Sequence, residues 1–120
     1  MTVRGLVKAM KALSDETRLR ILNLLLEREC CVCEVMQVLG LSQSTASRGL
    51  SALYDAGFLK RRREGTWMFY SIAKDMSQYY SEMLEAVREA LEDNKLYKSD
   101  RERLRQVGTV GPHCAEQVVC

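Results

Sequence analysis

The chain has 120 residues, 47% of them apolar, which suffices for one packed domain with a modest core. Its formal charge of +2 excludes any case for a nucleic-acid partner from the overall balance, so such a case has to rest on how charge is distributed. No apolar run approaches a membrane span and the first residues lack the uninterrupted apolar core of a secretory signal; five cysteines, odd in number and clustered, suit reduced thiols in the cytoplasm better than a disulfide framework.

In chain order, Val3, Leu6, Val7, Met10 and Leu13 recur at three- and four-residue spacing and predict a helix with one apolar stripe. Ser14-Asp15-Glu16 then supplies an N-cap and first-turn acids to a buried second helix carrying Leu19, Ile21, Leu22, Leu24, Leu25 and Leu26. After Glu29 come Cys30, Cys31 and Cys33, and a short helix with Val35, Met36, Val38 and Leu39 that Gly40 stops. Ser42 caps the next helix, whose inward stripe is Ala46, Leu50 and Leu53 and whose outer face carries Ser44, Ser47, Arg48 and Ser51. A helix, a tight turn containing glycine and a second helix with a small polar outer face make a helix-turn-helix.

Gly57 ends that helix, and two β-rich runs around Glu64-Gly65 predict a hairpin, the wing. The first run contains the basic block Lys60-Arg61-Arg62-Arg63. Met76, Tyr80, Met83, Val87 and Leu91 line one side of a last long helix; between residues 75 and 93 six acids accompany the single base Arg88, a surface that repels DNA and suits a dimer contact. Beyond Asn94 the periodicity weakens. The expected organisation is therefore a mainly α chain with a small β-hairpin (α+β), a winged helix-turn-helix dimerising through its terminal helices, with residues 1–95 as the domain and residues 96–120 as a flexible tail.

Three thiols in four positions are rarely packing residues, and thiolates without a nearby His or carboxylate cluster suit soft ions such as As(III) or Sb(III) over zinc. Cys31 and Cys33, two apart, would point to opposite faces of a regular helix, whereas one ion needs its sulfurs to converge. Filling the site is therefore expected to distort the helix start. A helix N-terminus also lowers a thiol pKa and favours the thiolate that binds metal. Cys30 is the nearest source of a third sulfur, with Cys114 and Cys120, beside the sole His113, as second choice.

On the DNA side, Gln43, Ser44, Thr45, Ser47 and Arg48 sit near the N-terminus of the second helix of the motif, where side chains normally reach base edges. Arg61, Arg62 and Arg63 alternate along a strand, so not all can face DNA; together they predict salt-dependent, sequence-blind affinity. Trp67, Phe69 and Tyr70 read as packing residues of the wing and core.

These residues resemble the ArsR/SmtB family of winged-helix metalloregulatory repressors, and within it the arsenic- and antimony-responsive branch. The resemblance lies in Ala12-Leu13-Ser14-Asp15-Glu16-Thr17-Arg18-Leu19-Arg20-Ile21-Leu22, Cys31-Val32-Cys33-Glu34, Leu41-Ser42-Gln43-Ser44-Thr45-Ala46-Ser47-Arg48-Gly49-Leu50 and Arg63-Glu64-Gly65-Thr66-Trp67. It implies a cytoplasmic homodimer, without organic cofactor or membrane partner, that binds an inverted-repeat double-stranded operator, represses resistance genes and lets go when the ion binds. Two departures stand out. The family commonly carries His where this chain has Gly49, and the arsenic branch often has a third Cys where this chain has Met36.

Two other readings stay open on the residues alone. One is a repressor of the same fold that responds to thiol oxidation or persulfide. The other is a small thiol oxidoreductase, against which stand the lack of a C-x-x-C motif and of a βαβ pattern.

Overall fold

Six helices and three short strands follow one another in a computed structural model that describes residues 2–107. They are α1 (Val3–Leu13), α2 (Glu16–Glu27), β1 (Cys30–Cys31), α3 (Val32–Leu39), α4 (Gln43–Asp55), β2 (Leu59–Glu64), β3 (Trp67–Ile72), α5 (Gln78–Leu91) and α6 (Lys95–Val107). The helix starts follow their caps: Asp15 Oδ2 accepts from the Arg18 N–H at 2.9 Å, and Ser42 Oγ from the Thr45 N–H at 3.2 Å. Gly40, at φ 68°, closes α3 in the left-handed conformation and lets α4 start within three residues, the tight turn of the motif.

The core gathers Ile21, Leu22 and Leu24 of α2, Val35 of α3, Ala46, Leu50 and Leu53 of α4, and Phe58 ahead of the wing, all fully buried. Helices α2 and α4 cross so closely that a Cβ on Gly49 would lie 2.5 Å from Ile21 Cδ1. Position 49 therefore faces the core, which accounts for a glycine inside a helix where propensity alone disfavours one by about 1 kcal/mol.

The sheet has three strands rather than the two of the expected hairpin, in the antiparallel order β1-β3-β2. Its register pairs Cys30 with Tyr70 and Tyr70 with Arg61, then Cys31 with Phe69 and Phe69 with Arg62. Directly opposite residues share a face and successive residues alternate, so these are two cross-strand rows on opposite faces.

On α5 only Leu84 is buried, and Tyr79 stands exposed together with Val3, Val7 and Met10 of α1. An open cleft between the two helices is lined by Leu6, Met10, Tyr79 and Met83.

The expected flexible tail from residue 96 is corrected through Val107, which ends α6, a helix packed on α2 and α3. Asn94 Oδ1 starts it by accepting from the Leu96 and Tyr97 N–H groups at 3.1 and 3.3 Å. Asp100, fully buried, takes two hydrogen bonds from Arg20 at 2.8 and 2.9 Å, and these raise the Arg20 pKa above its ordinary value. Asn23 donates to the Tyr97 carbonyl at 2.9 Å and accepts from Arg101 at 2.7 Å. These polar ties join the burial of Leu104 and Tyr97 in the docking, and a search for apolar periodicity misses them. Residues 108–120, with Cys114 and Cys120, lie outside the described residues. Among the described residues no helix is long and apolar enough to cross a membrane.

Candidate thiol site and nucleic-acid interface

Helix α2 ends at Arg28 in extended backbone, and the chain stays extended through Cys30 and Cys31 before α3 begins at Val32. Neighbouring residues of an extended segment point to opposite sides, so the adjacent thiols part company. Cys30 turns into the main core, where its S–H donates to the Arg28 carbonyl at 3.4 Å. Burial above all, and then the nearby Glu34 charge, pushes its pKa well above the usual thiol range. The expected thiolate-favouring helix terminus does not prevail at Cys30, because desolvation outweighs it. The structure places Cys30 apart from the other two thiols.

Cys31 is the N-cap of α3, at φ −90° and ψ 167°, and Cys33 is the second residue of the helix. Because the N-cap stands outside the helical spiral, its side chain reaches back over the first turn, and the Cys31 and Cys33 sulfurs lie 2.7 Å apart. The expected conflict between an intact helix and converging sulfurs therefore does not arise, and the expectation that an occupant must distort the helix start loses its premise. At a metal–sulfur distance of about 2.3 Å, two thiolates on one ion stand roughly 3.3–3.8 Å apart, so the pair converges on one point but opens by roughly an ångström to hold an ion. Among the described residues no set of three Cys, His, Asp or Glu side chains converges to hold a metal, so a third donor is not placed.

Glu34 fixes this turn. Its Oε1 accepts from the Cys31 N–H at 3.0 Å, the reciprocal half of a capping box, and its Oε2 accepts from Arg28 at 2.8 Å. Arg28 also donates to the Glu29 carbonyl at 2.9 Å and, more weakly, to the Leu104 carbonyl of α6 at 3.5 Å. Burial opposes the Arg28 charge, but Glu34 more than compensates and raises its pKa. Glu34 is itself only 1% exposed, so removing Arg28 strands a buried carboxylate at a cost of about 3–5 kcal/mol. Its role was open to sequence reading as a cap followed three residues later by Glu.

Cys31 and Cys33 are fully buried, and among the described residues Phe69 packs on them, with Trp67 alongside at a ring-centroid distance of 6.5 Å from Phe69. On the other side of Phe69, the Arg62 guanidinium lies 4.4 Å from the ring centroid. Arg62 is in turn clamped by Glu29, through bonds of 3.1 and 2.8 Å, and by Glu64 at 2.6 Å. These contacts, Glu29 first, raise its pKa. The row Cys31, Phe69, Arg62 thus joins the thiol pair to the wing. Sequence reasoning missed the roles of Glu29 and Phe69, because they depend on the pairing of a two-residue strand.

On α4, Gln43, Ser44 and Arg48 are exposed, while Thr45 and Ser47 are half-buried. The Thr45 hydroxyl accepts from Ser42 Oγ at 3.0 Å, so it already serves the helix cap. The three wing arginines separate. Arg61 lies 4.1 Å over the Tyr54 ring at the end of α4 and bonds Tyr70, which raises its pKa. Arg62 is held by acids. Arg63 is exposed and makes no hydrogen bond, ion pair or ring contact among the described residues.

The model of bacterial regulatory proteins of the arsR family matches residues 15–61. The arsenic resistance transcriptional regulator ArsR1 of Pseudomonas putida is 38% identical over 99 residues, covering 82% of this chain and 76% of that protein. A second regulator of that organism, ArsR2, is 41% identical over 91 residues, covering 72% and 79%. Among solved structures, reduced HlyU from Vibrio cholerae superposes with a TM-score of 0.62 at 33% identity, covering 72% of this chain and 88% of that one. A homodimeric winged helix-turn-helix DNA-binding domain from Mycobacterium bovis, a possible ArsR-family regulator, gives 0.64 at 30% identity, covering 78% and 83%.

Proposed function

The chain belongs to the arsR family of bacterial regulatory proteins, as a DNA-binding transcriptional regulator, and from that premise we propose that it is a cytoplasmic homodimeric repressor that releases its operator when As(III) or Sb(III) binds Cys31 and Cys33. The observation that carries this reading is the buried pair of sulfurs 2.7 Å apart at the start of α3, the helix next to α4. With its thiols reduced, the pair offers two soft donors to a soft ion. Relatives named for arsenic resistance support that choice. Cys30 could join only by unpairing β1 from β3, so the third sulfur is assigned to Cys114 or Cys120 in preference to it.

The homodimer forms through the exposed apolar face of α1 and α5; that the similar M. bovis domain is homodimeric supports a dimer. It sets two α4 helices about one DNA turn apart on an inverted repeat. Gln43, Ser44, Ser47 and Arg48 read bases or hold phosphates; Thr45 positions the helix; Arg63 on the wing holds phosphate. The ion needs to change operator affinity by about 5- to 150-fold, or roughly 1–3 kcal/mol.

The test is fluorescence anisotropy of an inverted-repeat operator selected from a random DNA pool, under reducing conditions. Arsenite and antimonite are expected to release the DNA while Zn²⁺ leaves it bound. Retention of DNA at saturating arsenite and antimonite contradicts the reading. The same 2.7 Å contact favours one second reading, in which an oxidant takes two electrons from Cys31 and Cys33, two protons leave and the sulfurs join. Release by diamide combined with indifference to arsenite selects it.

A further inference from the structure

We propose that Phe69 is the lid of the thiol pair and that moving it loosens the wing through Arg62, so that an occupant acts on DNA along the row Cys31, Phe69, Arg62. This inference rests on the proposed function, since it supplies the route from that site to the operator. Three observations carry it. The first is closure: both sulfurs are fully buried, and among the described residues Phe69, 8% exposed, packs on them with Trp67 alongside. An ion adds volume beside the sulfurs in an interior that has no slack, so the ring over them has to give.

The second is position. Phe69 lies on the central strand, opposite Cys31 on one side and Arg62 on the other. Its displacement therefore meets the guanidinium 4.4 Å from its centroid. The third is the clamp. Glu29, one residue before the thiol strand, holds Arg62 by two bonds of 3.1 and 2.8 Å, and Glu64 at the wing tip holds it by one of 2.6 Å. Arg62 thereby ties the strand bearing the thiols to the tip of the hairpin. Helix α3 need not unwind, because its first turn already has the converged shape. Phe69 and Glu29 are positioning residues in this scheme and touch neither DNA nor ion.

The experiment compares the full chain with Glu29→Gln and Phe69→Leu, using arsenite as the probe. Trp67, the sole tryptophan, stacks beside Phe69 and reports ring movement without DNA present. In the parent, arsenite is expected to change Trp67 emission and to weaken operator binding by about 10-fold or more. In Glu29→Gln, arsenite affinity stays within about twofold of the parent, while the loaded-to-empty ratio of operator Kd falls to about a third or less. In Phe69→Leu, arsenite enters about fivefold faster and the same ratio falls, because two sites joined by a coupling lose it from both ends. Glu29 is half-buried and Gln keeps its size, so this variant decides the matter even if the Leu variant folds poorly. Parent-like ratios in both variants, with arsenite still bound, overturn the lid. A parent that binds arsenite yet keeps its operator overturns the proposed function instead, and the lid with it.

Discussion

The two faces of the small sheet are built from different chemistry. Cys30, Tyr70 and Arg61 form the inward row: Cys30 is sealed in the main core and Arg61 folds back over Tyr54. Cys31, Phe69 and Arg62 form the outward row, with a second thiol at one end and a clamped arginine at the other. A single step along an extended chain separates the two. Adjacent cysteines thus share a chemistry and pack in different clusters, and under the proposed function changes on the inward side cost stability while changes on the outward side cost response.

The largest expected effect tests the outward side. Cys31→Ser and Cys33→Ser each abolish arsenite-driven release in an anisotropy titration, with thermal unfolding close to the parent. Cys30→Ala keeps release but, by emptying a packed core position, loses about 1 kcal/mol of stability in urea unfolding. Equal loss of response in all three would erase the division between the rows.

Next comes the buried carboxylate of α6. Asp100→Asn, which leaves Arg20 without its counter-charge, destabilises by about 3 kcal/mol and frees α6 to hydrogen exchange, while arsenite still releases DNA. Gly49→Ala sets the overpacking against Ile21, about 1–3 kcal/mol, against a gain of about 1 kcal/mol in helix propensity; a net loss, read from the urea midpoint, is expected. The smallest effect concerns the wing. Arg63→Gln lowers the slope of log K against log salt by about 1 per protomer, whereas Arg61→Gln, whose parent side chain is spent on Tyr54 and Tyr70, changes it less.

Much of this architecture can be read from local signals. Ser42, Gly40 and Gly57 punctuate the helix-turn-helix, and Glu64-Gly65 marks the hairpin, because caps and turns are decided within a few residues. Two features were not legible. Helix α6 buries only a few apolar side chains, Tyr97 and Leu104 among them, and is held as well by Asp100, Asn23 and Arg101, polar groups paired across the sequence that apolar periodicity does not register. Strand β1 has two residues, too few for any pattern, yet it decides which thiols meet. The sequence also suggested that helical spacing would hold Cys31 and Cys33 apart. That reasoning treats both as helical, whereas one of them is the cap.

Arsenic-edge X-ray absorption on the loaded protein tests the central claim most directly, because it counts the sulfurs around the ion. The count is expected to fall by one in Cys31→Ser and in Cys33→Ser and to be unchanged in Cys30→Ala. A fall in Cys30→Ala, with the count preserved in Cys31→Ser, would put the ion on the inward row and contradict the account.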